Sequence, residues 1–261
     1  MKREIVQPVI TYLRSHHFIA LLAGLVVALP ILFGAEALTT SYFDSARQDT
    51  KQASSRISRA INHIPDPADM TAGASNSEAR FIVEQTASQQ EIIDENTQQL
   101  QTAYPFAYLA TFSISHQASS LRSTNQRIKD QADDIQSQSA NYTATLQASL
   151  EFIEYSPAID TVDFSLGSED SNERMERLRN GLDRADNELS QVDNSYLAQD
   201  VSELIAAAKT AQQELEDGGS VEDFVDDFQA LQASYIELLT NHYRSIRPEL
   251  QEKITSIRKD I

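Results

Sequence analysis

The chain has 261 residues with seven glycines, seven prolines, no cysteine and no tryptophan. Sparse glycine and proline favour helix over sheet, and the lack of cysteine excludes disulfides, thiolate metal sites and a cysteine nucleophile while leaving the redox compartment open. The formal net charge of −18 argues against nucleic acid as a partner, because phosphate neutralisation needs clustered Lys and Arg.

The charge is unevenly placed. Residues 1–17 form a short basic segment in which Lys2, Arg3 and Arg14 outnumber Glu4. Phe18 to Ala35 then runs FIALLAGLVVALPILFGA without one charge. A bilayer core needs about 20 apolar residues, and continuing to Leu38 reaches that length. Pro30 is tolerable in a membrane helix. The segment 18–38 is therefore expected to be a transmembrane helix that binds the lipid bilayer. A cleaved signal peptide is the competing reading, since Ala35-Glu36-Ala37 has a small-x-small pattern, although the apolar run exceeds the usual signal core. Flanking positive charge, with His16 and His17 beside it, places the N-terminus in the cytoplasm and residues 39–261 outside it.

The domain 39–261 has the apolar spacing of helices separated by turn-forming stretches. The first helix is expected to reach Ile64, with Ala46, Ala53, Ile57 and Ala60 on one stripe. PDPAD and GAS mark a linker over 65–76. A second helix starts near Ser77 and carries Ile82, Thr86, Ile93 and Leu100.

Tyr104 to Ile114 reads YPFAYLATFSI, uncharged and too short to span a bilayer. It fits either a kinked helix with core aromatics or a segment resting in the membrane interface. The second reading makes Tyr104, Phe106, Tyr108 and Phe112 interfacial residues, because aromatic rings favour that depth. It rests on an antiparallel return of the second helix along the full length of the first.

From Leu121 the 3–4 alternation passes through Asn125, Ile128, Ala132, Ile135, Ser139, Tyr142, Leu146, Ser149 and Ile153. That length of helix spans about 50 Å. Beyond the acidic loop 156–170, Met175, Leu178, Leu182, Ala185, Leu189 and Val192 repeat the pattern. It slips near Asn194-Ser195 and resumes at Leu197, Val201, Leu204 and Ala208, so 172–216 is expected to act as one packing segment. Ser220-Val-Glu-Asp223 resembles a capping box and opens a helix with Phe224, Phe228, Leu231, Tyr235 and Leu238. Pro248 is expected to end it and restart a short final helix bearing Leu250, Ile254 and Ile257.

These patterns predict an all-α protein: one N-terminal transmembrane helix followed by an elongated antiparallel helical bundle or coiled-coil domain. Helices of unequal length leave some seam uncovered, and such stripes mark association sites. The surface Phe224, Phe228, Leu231 and Tyr235 is the expected place for self-association or for another envelope protein.

Signals of chemistry are weak. No histidine among His16, His17, His63, His116 and His242 has the spacing of a zinc protease or of Glu-x-x-His in a di-iron bundle. No phosphate loop or GxSxG elbow occurs. The acidic stretch Asp160 to Glu173 lacks calcium-loop spacing, and the Asn141-Tyr-Thr143 glycosylation pattern lies in mid-helix. The sequence assigns no catalytic residue, cofactor or metal, and an enzyme is not expected.

The expected function is a membrane-anchored, extracytoplasmic coiled-coil module for structure or protein interaction. The alternative is a ligand-sensing bundle acting through a partner. In its arrangement, an anchor feeding straight into a bundle, the chain resembles the sensory domains of bacterial chemoreceptors. The likeness rests on no shared motif, and the chain departs from the pattern in having no second apolar segment after Ile246.

Overall fold

A computed structural model of the chain describes residues 44–70, 76–102, 115–150, 152, 169–192 and 196–261. These residues are almost wholly helical, and no strand occurs among them. The helices are α1 (44–63), α2 (Asn76–Thr102), α3 (Ser115–Ala148), α4 (Glu169–Leu189), α5 (Tyr196–Glu216) and α6 (Val221–Asp260). A 3-10 turn, Pro67–Asp69, follows α1, with Asp66 as its N-cap accepting from the Ala68 N–H at 3.0 Å. No helix among the described residues is long and apolar enough to cross a membrane. The expected anchor 18–38 lies outside the described residues.

The chain divides into two compact units. One comprises Met1–Asp49 and Ala103–Asn125, of which the described residues are the first turns of α1 and α3. The other comprises Thr50–Thr102 and Gln126–Ile261 and holds the helical bundle.

In this second unit α6 is the common partner. Arg127, Gln131, Asp134 and Gln138 of α3 bond Asp260, Ser256, Lys253 and Glu249 in turn, at 2.9–3.1 Å. Rising numbers on one helix meet falling numbers on the other, so the pair is antiparallel. Helix α1 pairs with α6 in the same sense. The Ser58 hydroxyl donates to Gln251 at 2.8 Å, the Gln251 amide donates back to the Ser58 carbonyl at 3.0 Å, and Arg247 donates to Asn62 at 3.1 Å. Between these polar edges lie fully buried Ile57, Ile61, Ile128, Ile135, Leu250, Ile254 and Ile257. Burying each such side chain stabilises by about 1.5–3 kcal/mol before entropy is counted.

Pro248 does not end the helix: α6 runs unbroken through it. Proline removes one backbone hydrogen bond, but Pro248 faces solvent, where water can satisfy the freed carbonyl. On the other side Tyr243 and Leu250, which flank the proline, are buried in the core.

The slip near Asn194-Ser195 falls between two helices. Residues 172–216 are two helices, α4 and α5, folded back on one another rather than one packing segment. Lys209 bridges Asp183 and Asp186 at 2.9 and 2.8 Å, Ser202 donates to Asp186, Arg179 pairs with Glu216, and Gln212 donates to the Met175 carbonyl at 3.3 Å. Helix α5 also packs against α6, its other face carrying Leu197, Val201, Ile205 and Ala208.

The turn between α5 and α6 is set by two glycines. The Gly219 N–H reaches the Glu214 carbonyl at 2.9 Å and the Gly218 N–H reaches Leu215 at 3.1 Å, the paired bonds of a Schellman motif. Gly218 has φ +101°, and a Cβ on Gly219 would stand 2.7 Å from the Glu214 carbonyl oxygen. Ser220 then caps α6 by accepting from the Asp223 N–H, as the capping pattern predicts. Gly218→Ala and Gly219→Ala are each expected to lower the unfolding free energy by about 1–2 kcal/mol in urea titration. An unchanged midpoint for both would contradict this account of the turn.

Candidate functional site

The buried seams of α2 and α3 contain many hydroxyl and amide side chains, including Thr86, Thr97, Ser139, Thr143, Thr145 and Ser149. Burying such groups is costly unless they are bonded. Here most are satisfied within their own helix: Thr86 donates to Ile82, Thr97 to Ile93, Ser139 to Ile135, Thr143 to Ser139 and Thr145 to Asn141, at 2.8–2.9 Å. The moderate polarity of the α3 seam is therefore local back-bonding and does not by itself make a pocket.

One layer departs from that pattern. Tyr142 of α3 is buried to 1 % exposure, and its hydroxyl has no partner. The Thr240 hydroxyl of α6 is likewise buried without one. The His242 ring stacks on Tyr142 with centroids 6.1 Å apart and planes 14° apart, and Tyr243 meets the same ring at 6.1 Å. Tyr243 donates to the Ile64 carbonyl at the end of α1 at 2.9 Å, and Arg247 lies 5.6 Å over its ring. One layer thus joins α1, α3 and α6.

Electrostatics in this layer follow from burial. Desolvation drives the Tyr142 hydroxyl far above the usual phenol range, and the neighbouring Tyr235, Tyr243 and Asp66 push it the same way. Tyr243 is raised by burial, with Arg247 opposing. Burial holds the His242 imidazole below its ordinary value, and the Asp200 carboxylate of α5 partly offsets that. At neutral pH the layer is uncharged: neutral phenols and a neutral imidazole. Among the described residues no group of three or more His, Asp or Glu side chains converges as metal ligands would.

Two turns further along α6 is an aromatic cluster. Phe152 packs on Phe228 at 5.4 Å and edge-on against Tyr235 at 5.5 Å, and Phe224 meets Phe228 at 5.7 Å. Tyr235 bonds Ser149 at 2.5 Å, and Gln232 donates to the Phe152 carbonyl at 2.9 Å. The surface expected of Phe224, Phe228, Leu231 and Tyr235 is thus placed differently. Phe224, Phe228 and Tyr235 are interior side chains of this chain, at 3 % exposure or less, and Leu231 alone is half-buried. The reason is the folding back of 172–216, which supplies a second layer of helix, and a one-residue shift of the seam from Leu231 to Gln232. Phe152, just beyond α3, is fully buried in this cluster, and Ile153 lies outside the described residues.

The residues expected at the membrane interface, Tyr104, Phe106, Tyr108 and Phe112, lie outside the described residues. The register on which that expectation rested differs. Gln101, at the end of α2, donates to Asp133 at 2.5 Å, beside the Asp134–Lys253 pair and so near the level of Ser58.

The tyrosine–histidine layer was missed by sequence reasoning. The sequence marks His242 only as a possible metal ligand and Tyr142 only as a seam position. The available signal was an aromatic pair, His242-Tyr243, falling where an aliphatic seam residue was due.

No protein-family model matches the chain, and no curated protein and no solved structure matches it.

The two buried phenols predict opposite responses. Tyr142→Phe removes a hydroxyl with no partner, so stability is expected to hold or rise by up to about 1 kcal/mol. Tyr235→Phe breaks the bond to Ser149 and is expected to cost about 1 kcal/mol. Urea denaturation of the two variants checks the pair, and equal losses would contradict the assignment of partners.

Proposed function

We propose that the chain is a membrane-tethered helical module, extracytoplasmic in placement, whose role is structural or protein-interacting and not catalytic. The observation that carries this reading is α6, a single helix of about 60 Å. Its last third, from Arg247 to Asp260, is braced on one side by α1 and on another by α3 through side-chain bonds. A helix end fixed at several points on two sides holds its register against its neighbours. The apolar segment 18–38 would tether the chain to the bilayer, and the acidic, well-solvated surface suits an aqueous envelope compartment. The partner is a second copy or another envelope protein.

A second reading, a ligand-sensing bundle acting through a partner, is supported by the layer around Tyr142. Buried hydroxyls without partners are rare in a core whose only task is mechanical.

Lys2, Arg3 and Arg14 before the apolar segment predict the topology. Protease added to intact cells or spheroplasts is expected to digest residues 39–261 and leave a short N-terminal fragment in the membrane. Full protection of the domain would reverse the orientation. A mature N-terminus at Leu38 would show that the anchor is cleaved.

A further inference from the structure

Residues 50–64 hold Lys51, Arg56 and Arg59 and no Asp or Glu, in a chain whose net charge is −18. The last turn of α6, which packs beside them, adds Arg258 and Lys259. We propose that this end of the bundle docks on anionic lipid headgroups, the phosphates of the bilayer in which the chain is anchored. The proposal rests on the anchored reading above but not on the orientation of the anchor.

Two observations set these cations apart. The first is that they lack counter-ions. In the acidic half of the bundle Arg177 and Arg179 pair with Glu173 and Glu216, and Lys209, the only lysine or arginine from Tyr196 to Tyr243, bridges Asp183 and Asp186. Lys51, Arg56, Arg59, Arg258 and Lys259 are all exposed, and no ion pair among the described residues includes them. Asp260, the carboxylate at the end of α6, is taken up by Arg127. The second observation is convergence. Arg59 Nε donates to the Ser55 carbonyl at 3.4 Å, and Arg258 Nη2 donates to the Ser55 hydroxyl at 3.4 Å and to the Ser54 carbonyl at 3.3 Å. Two guanidinium groups from different helices are thus held against one residue without a carboxylate to share. Groups so placed repel each other, and their planar forks suit the oxygens of a phosphate.

The surface these cations fit lies along α1 and not across its end. Lys51 to Arg59 covers about 12 Å of the helix, on the side away from buried Ala53, Ile57, Ala60 and Ile61. A helix with one apolar face and cations on the other has the form that rests on a membrane surface. Here the bundle occupies the apolar face, so the electrostatic part of that binding remains. It favours contact with an anionic surface roughly five-fold for each cation. The tether supplies the lipid. Lys51 follows Leu38, the end of the apolar segment, by thirteen residues and so stays within about 45 Å of the bilayer. At that reach headgroups are the phosphates of highest effective concentration.

The test uses the full-length chain in nanodiscs, with a fluorophore on Gln52→Cys, an exposed position on the same side of α1, and lipids bearing a quencher on the headgroup. Quenching is expected to rise roughly three-fold when phosphatidylglycerol is added to phosphatidylcholine, and to fall back in high salt. Lys51→Gln/Lys259→Gln removes two side chains that no hydrogen bond or ion pair uses. It is expected to lower the ratio of docked to undocked chain roughly 25-fold. Arg177→Gln/Arg179→Gln changes the net charge equally but on α4, and is expected to leave the quenching as in the parent. Entry into neutral discs reads the anchor separately. A chain that does not enter them overturns the anchored reading and this proposal with it, whereas entry with equal quenching in the two lipids overturns the docking alone. Equal effects of the two double variants would also overturn it, as would salt-sensitive clustering of neutral discs, which assigns the cations to the acidic half of a second copy.

Discussion

The antiparallel contact of α6 with α1 and α3 underlies the rest of the bundle. Ile254 and Ile257 of α6 lie among Ile57, Ile61, Ile128 and Ile135 with no exposure to water, and the flanking polar side chains fix the register. Gln251 matters most among these, because its amide both accepts from and donates to the Ser58 residue. A shift of one helical turn would break that exchange, together with the Arg247–Asn62 and Lys253–Asp134 bonds. Apolar burial supplies the stability, and the polar edges select one alignment among several of similar burial.

That dependence explains how α6 tolerates Pro248 and why its N-terminal half is interior. A helix held at many points on two sides loses little from one missing backbone bond on its wet face. Beyond the reach of α1, the folding back of α4 and α5 brings α5 onto α6, and Phe152 at the end of α3 meets Phe228 and Tyr235. The aromatic cluster sits where the bracing changes hands. The tyrosine–histidine layer lies beside it, where the end of α1 gives way to the start of α5. Neutral phenols and a neutral imidazole can be buried there at modest cost. A charge cannot.

Helix content, the seam of α3 and the cap at Ser220 were legible in the sequence because each is a local pattern. Periodicity of three and four residues survives in the sequence whatever the helix packs against. Two features were misread for the same reason. The slip at Asn194-Ser195 and the proline at 248 look alike as local interruptions, yet the first falls between two separate helices and a single helix runs on through the second. Only tertiary contacts distinguish them: α4 has α5 to fold onto, whereas α6 is clamped on both sides of Pro248. The grouping of Tyr142, Asp200 and His242 was not legible at all, since it joins three helices at separations of 42 to 100 residues in the numbering. The burial of Phe224, Phe228 and Tyr235 was hidden likewise, because it depends on a second layer of helix that the stripe itself does not announce.

The central claim is that α3 and α6 are antiparallel neighbours within one chain, in the register set by Gln131 and Ser256, whose side chains meet at 2.9 Å. The absence of native cysteine makes this directly measurable by a Gln131→Cys/Ser256→Cys double variant treated with a short bis-thiol reagent. The account predicts rapid crosslinking within the monomer. It also predicts none when the second cysteine is moved to Thr255, on the exposed face of α6. Crosslinking only between two chains, or equal crosslinking at both positions, would contradict it.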